Sequence, residues 1–174
     1  MEKTKLHIYI KPTQISRRIK QLAGKINKDY ENKVPIFIGV LNGAFIFMSD
    51  LIREIKVNCE IDFLKLSSYG DSKISSGQVK TLKELNCELK GRDVIIVEDI
   101  IDSGLSMDFI LKTIKNQKPA SVKIASLLIK KDTPKFNFKI DYLGFEIENK
   151  FVVGYGLDYN GYGRNLPDIY KIVK

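Results

Sequence analysis

Val94-Ile95-Ile96-Val97-Glu98-Asp99-Ile100-Ile101-Asp102-Ser103-Gly104-Leu105-Ser106-Met107 decides how this chain is read. Four β-branched residues open the stretch, the composition of a strand buried in a parallel sheet. Two adjacent carboxylates, Glu98 and Asp99, sit at the carboxyl end of that strand. A turn with Gly104 and two hydroxyls follows, and a helix-like run begins at Met107. Acids, backbone N–H groups and a helix start thus meet at one sheet edge, where open α/β folds bind phosphorylated ligands. Asp102 to Ser106 offers successive N–H donors plus the hydroxyls of Ser103 and Ser106, an anion nest leading into a helix N-terminus. The same residues also suit a plain capped strand–helix connection, because Asp and Ser are good N-caps. No Gly-Lys-Ser/Thr is present, so the turn is not a Walker A loop, and it is not a dinucleotide fingerprint either.

On both sides of this stretch, strands alternate with helices. Ile15, Ile19, Leu22, Ile26 and Tyr30 recur at helical spacing. Val34 to Leu41 reads as a buried strand, broken by Asn42-Gly43, and Ala44 to Ile55 reads as a helix. Glu60 to Leu66 is strand-like, and Met107 to Asn116 forms the next helix after Val94 to Val97. Val122 to Ile129, Tyr142 to Ile147 and Phe151 to Tyr155 are further strands. This alternation predicts right-handed βαβ units, an α/β fold with a mostly parallel central sheet flanked by helices. The whole chain, 1–174, reads as one domain. Its ends, roughly 1–12 and 145–174, leave the alternation and are expected to form a small hood subdomain over the sheet edge. Ser67 to Lys80 is polar and long for a plain connection, and it reads as a lid or as an idle hairpin tip.

A 44% hydrophobic share suits a globular chain and argues against disorder. Met1-Glu2-Lys3-Thr4-Lys5 lacks the apolar core of a signal peptide, and no apolar run approaches membrane-spanning length, so a cytoplasmic location without membrane contact is expected. Cys59 and Cys87 show no metal spacing and are expected to be free thiols. The net charge of +8 favours anionic partners but does not separate phosphorylated metabolites from nucleic acid. The single histidine, His7, is read as structural or exposed, which removes histidine-based chemistry.

Glu98 to Ser106 resembles the phosphoribosyl-diphosphate (PRPP) motif of type I phosphoribosyltransferases, with acids, glycine and hydroxyls in register. Lys150-Phe151-Val152-Val153-Gly154-Tyr155-Gly156-Leu157-Asp158-Tyr159-Asn160 resembles the purine-site segment of the hypoxanthine-guanine branch. Ala125 to Lys130 is similar to that branch's preceding strand, and Ser68-Tyr69 to its lid. The spacing of these pieces holds from about Ser68 to Arg164.

The resemblance implies a role for each matching residue. Glu98 and Asp99 would lie by the ribose hydroxyls and a Mg²⁺ ion, and Asp102 would face purine N7 as general base. Ser103, Gly104, Leu105 and Ser106 would hold the 5′-phosphate. Lys130 would donate to the 6-oxo group, Phe151 would stack on the purine, and Lys150 and the Val152 main chain would complete the base site. Asp158 would belong to the base site and help place a second Mg²⁺, while Asn42, Gly43 and Arg164 would meet the pyrophosphate. Ser68 and Tyr69 would close over the reacting centre. One departure stands out: the usual Leu-Lys-Gly of the pyrophosphate loop is Leu41-Asn42-Gly43 here, which leaves backbone N–H groups and a neutral amide. The resemblance also implies a cis peptide at Leu41–Asn42.

Read this way, the chain is a purine-salvage enzyme that takes PRPP and hypoxanthine or guanine, with Mg²⁺ as cofactor. It is expected to act on small molecules without a nucleic-acid partner, as a homodimer or homotetramer. Two alternatives remain at this point: a xanthine-preferring transferase, and an RNA-binding regulator on the same fold.

Overall fold

The computed structural model describes residues 5–68, 79–131 and 136–173. In chain order the elements are β1 (Lys5–Ile10), α1 (Pro12–Asp29), β2 (Ile36–Leu41), α2 (Phe45–Glu54), β3 (Glu60–Ser68) and β4 (Val79–Lys83). They continue with β5 (Asp93–Ile101), α3 (Leu105–Lys115), β6 (Ser121–Lys130), β7 (Tyr142–Ile147), β8 (Val152–Val153) and β9 (Ile169–Val173).

The central sheet has the order β4-β3-β2-β5-β6-β7. β3, β2, β5, β6 and β7 run parallel, and β4 is an antiparallel edge strand on β3. Alternation along the strands divides the core. Phe37, Ile95, Val97, Ala125 and Leu127 join one cluster with the buried faces of α1 and α2. Ile36, Ile38, Val40, Val94, Ile96 and Ile124 join the other with Met107, Ile110 and Ile114 of α3. Two apolar faces explain why β2 and β5 read as unbroken apolar runs. Pro12 starts α1, and Gln14 reaches back to the Lys11 N–H at 2.9 Å.

The chain ends build a second sheet. β9 lies between β1 and β8, antiparallel to both. His7 sits exposed on β1, opposite Lys171. Residues 145–147, expected to leave the central layer, are part of β7 and pair with β6. The strand expected from Phe151 to Tyr155 shrinks to Val152–Val153, because Gly154, Tyr155 and Gly156 all take positive φ and turn the chain. β5 runs four residues past Val97, and α3 begins at Leu105, two residues earlier than its periodicity suggests. Helix α2 is correspondingly shorter than Ala44 to Ile55. Cys59 and Cys87 are free. Among the described residues no helix is long and apolar enough to cross a membrane.

Candidate active site

The carboxyl ends of β2, β5 and β6 converge with the entry to β8. Because β5 continues through Ile101, Glu98 and Asp99 lie within a strand rather than after one, and their side chains come within hydrogen-bond reach of each other. Glu98 lines a cavity of about 120 Å³ with Ile101, Asp102, Ser103, Gly104, Ser106 and Met107. Asp99 lines a neighbouring cleft of about 230 Å³ with Lys130, Lys150, Phe151, Val152, Leu157 and Asp158. Ile100 and Asp102 belong to both walls. The second cleft is smaller than the roughly 300–1,000 Å³ of drug-sized ligand pockets and suits a small ring.

The first cavity lies at the turn from β5 into α3. Gly104, at φ 78°, is the N-cap of α3 and takes the left-handed conformation that turns the strand into the helix. A Cβ there would meet the Phe136 ring at 2.5 Å. The first N–H groups of α3 have no acceptor within the helix and form its positive end. Ser103 and Ser106 are both exposed at this mouth.

Burial, then the neighbouring Asp99 carboxylate, pushes the Glu98 carboxyl well above its ordinary value. Burial also raises Asp99, against the pull of Glu98, backbone N–H groups and the Arg164 guanidinium. Among the described residues no three His, Cys, Asp or Glu side chains are grouped to cage a metal ion, so Glu98, Asp99 and Asp158 do not form a single ligand set. That donor set still fits Mg²⁺, which is held by one or two carboxylates together with substrate phosphates.

Register brings Lys130 to Asp102. Ile129 of β6 lies opposite Ile101 of β5, and the next residues meet across the strand ends. The Lys130 Nζ stands 2.7 Å from Asp102 Oδ2. Lys130 is largely buried, whereas the Asp102 side chain is 62% exposed and available to a ligand. Phe151 is half exposed at the rim, its ring edge-on to Tyr159 at 5.5 Å.

The loop after β2 closes the third side. Its Leu41–Asn42 peptide is cis, as the resemblance implies. A Cβ at Gly43 would collide with the Asp99 carboxylate, so the absence of a side chain is what lets this loop approach β5. The Gly43 carbonyl in turn abuts Gly156, where a Cβ would also collide. Arg164 donates to the Gly156 carbonyl at 2.7 Å and pairs with Asp158 at 2.6 Å. Asp158 also accepts from the Gly161 N–H at 2.7 Å. Arg164 and Asp158, expected to meet pyrophosphate and metal separately, therefore hold each other here. Ser68 ends β3 opposite Val79, and Tyr69 lies outside the described residues.

Ile100, Leu157, Gly156 and Phe136 belong to the site but receive no role from the sequence. Gly156 had a visible signal, two glycines flanking Tyr155; the apolar lining had none.

The profile of the phosphoribosyl transferase domain family matches residues 10–160. The chain is 44% identical over 162 residues to the hypoxanthine-guanine phosphoribosyltransferase of Bacillus subtilis (strain 168), covering 93% of this chain and 90% of that protein. It is 42% identical over 169 residues to the hypoxanthine-guanine phosphoribosyltransferase of Aquifex aeolicus (strain VF5), covering 97% and 95%. A crystal structure of a hypoxanthine-guanine phosphoribosyltransferase from Bacillus anthracis, with HEPES in its active site, superposes with a TM-score of 0.91 at 40% identity, covering 98% of this chain and 100% of that one.

Proposed function

The chain belongs to the phosphoribosyltransferase family, in its hypoxanthine-guanine branch, and from that premise we propose that it transfers the 5-phosphoribosyl group of PRPP to hypoxanthine or guanine. The products are IMP or GMP and pyrophosphate, and the role is purine salvage. The observation that carries this reading is the shared wall: Asp102 lines both the anion cradle and the ring-sized cleft. An acid placed there stands between a sugar phosphate and a base.

The 5′-phosphate sits in the cradle from Ser103 to Ser106, on the first N–H groups of α3. The purine enters the second cleft with Phe151 against one face and the 6-oxo group toward Lys130. An ammonium aimed at that position donates to an oxo group and rejects the amino group of adenine, a mismatch worth several powers of ten. Asp102 takes the proton from N7 as N9 forms its bond to ribose C1. The bond from C1 to the diphosphate oxygen breaks at the same centre, and its electron pair leaves with pyrophosphate. Positive charge grows on the ribose ring beside the carboxylates of Glu98 and Asp99, and negative charge grows toward the Asn42-Gly43 amides and Arg164. The family is generally Mg²⁺-dependent; Glu98 and Asp99 are the residues that would hold one ion with substrate, and Asp158 would help hold a second. When bound, Mg²⁺ supplies charge neutralisation of the diphosphate.

Purified protein given PRPP, Mg²⁺ and hypoxanthine or guanine is expected to release pyrophosphate with formation of the mononucleotide. Turnover of neither base would overturn the assignment.

A further inference from the structure

The purine cleft and the diphosphate loop are carried by different parts of the chain. The first hangs on β8 and the turn after it; the second is the junction between β2 and α2. Transfer requires N9 and C1 to sit roughly 3–3.5 Å apart and in line, so the distance between these parts must be fixed.

Tyr155 occupies the joint. Gly154, Tyr155 and Gly156 have φ of 107°, 53° and 99°. The left-handed region is unfavourable for a bulky L side chain, and only the middle position of the three carries one. That side chain is buried at 7% exposure, and its hydroxyl donates to Asp50 Oδ2 of α2 at 2.5 Å. Burial and the Asp50 carboxylate both raise the phenol's pKa, which keeps it a donor. The adjacent Gly156 lies against the Gly43 carbonyl, and the Tyr155 N–H donates to the Leu166 carbonyl at 2.8 Å. The turn is thus held from one side by its own loop and from the other by the helix that follows the diphosphate loop.

We propose that the Tyr155–Asp50 hydrogen bond is a strut that sets the base wall at its working distance from the diphosphate loop. Both are positioning residues, and the inference rests on the transferase reading given above. Asp50 lies in a groove between α1 and α2 with Ser16, Lys20, Arg53 and Glu54, outside the cleft that takes substrate. Its influence on transfer therefore runs through Tyr155.

The test is a kinetic and thermal comparison of Tyr155→Phe, Asp50→Ala, Asp50→Asn and the double variant Tyr155→Phe/Asp50→Ala. Tyr155→Phe keeps the buried ring and removes only the hydroxyl. It is expected to lower kcat about tenfold while the KM values for PRPP and hypoxanthine stay within about twofold. The double variant should be no worse than the poorer single one, as two ends of one bond require. Asp50→Asn, which keeps an oxygen for the phenol, should recover most of the loss seen in Asp50→Ala. A bond of merely structural worth would lower the thermal midpoint and leave the kcat of folded protein unchanged; that result, or single effects that multiply, overturns the strut. Inactive wild-type protein would sink the transferase reading and the strut with it. Active wild-type protein with an unaffected Tyr155→Phe variant sinks the strut alone.

Discussion

The proposed sugar-phosphate wall comes from one continuous run, Glu98 to Ser106, whereas the proposed base wall is gathered from Lys130 at the end of β6, Lys150 to Val152 at β8, and the loop through Leu157 and Asp158. The first needs only one strand, one left-handed glycine and one helix start to take its shape. The second exists only after β6 has registered against β5 and β8 has docked on β9. A wall made from consecutive residues is set by local backbone geometry. A wall made from distant ones is set by strand register and by the contacts that hold its pieces apart.

The largest effect is expected where the walls meet. Asp102→Asn keeps the shape of the shared edge but removes the proton acceptor. Turnover should fall about 10²-fold or more while PRPP binding, followed by direct titration, is nearly unchanged. Turnover close to that of the wild type would remove Asp102 as the base and leave the comparison without its hinge.

Gly43→Ala asks whether an assembled contact can matter as much as a contiguous one. The added methyl would strike the Asp99 carboxylate and force the diphosphate loop away from β5. A loss of about tenfold to 10²-fold in kcat/KM is expected, following from displacement of reacting groups by a fraction of an ångström to one ångström. Steady-state kinetics with PRPP as the varied substrate would show it. Unchanged kinetics would mean that the loop and β5 tolerate separation.

Lys130→Ala should separate the two walls most cleanly. The lysine lies at the strand end opposite Asp102 and lines the base side of the edge. The KM for hypoxanthine should rise about tenfold, with the KM for PRPP within about twofold, consistent with loss of a charged hydrogen bond. Equal changes in both would mean that Lys130 serves Asp102 and not the purine.

The same contrast explains what could be read from the chain alone. The cradle was legible because acids, glycine and hydroxyls stand in a fixed local order, and the parallel sheet was legible from apolar runs buried on two faces. Glu98 and Asp99 were placed after the strand because two carboxylates look like its end; Ile100 and Ile101 continue it, so the acids belong to the strand itself. The residues of the base wall came through resemblance. Composition could not show that Lys130 would register beside Asp102, that Arg164 would bond the Gly156 carbonyl, or that Gly43 and Gly156 would touch. β1 and β9 were not expected as strands, because their pairing joins the two ends of the chain. Neither end carries the flanking strand–helix alternation that exposed the rest.

The smallest effect on catalysis is expected where neither wall is touched, and it fixes the baseline for the other comparisons. Asp62 on β3 is buried, accepting from Lys83 Nζ at 3.0 Å and from the N–H groups of Phe63, Asn86 and Cys87 at 2.7, 2.5 and 3.1 Å. Burial alone would raise its carboxyl, but Lys83 and these three N–H groups together hold it well below the usual carboxylate range. A carboxyl depressed in the folded state gives stability that is fully present above its unfolded pKa of about 3.9 and fades as pH falls below that toward the folded value. Asp62→Asn should therefore cost about 1–3 kcal/mol near neutrality, since a carboxamide cannot accept from all of these donors. The difference from wild type should narrow steadily below about pH 4. Urea unfolding across that range would measure it, alongside kcat at a temperature where both proteins are folded. A kcat loss of about tenfold would show that the far edge of the sheet also governs the cleft, and the division into two independently built walls would have to be redrawn.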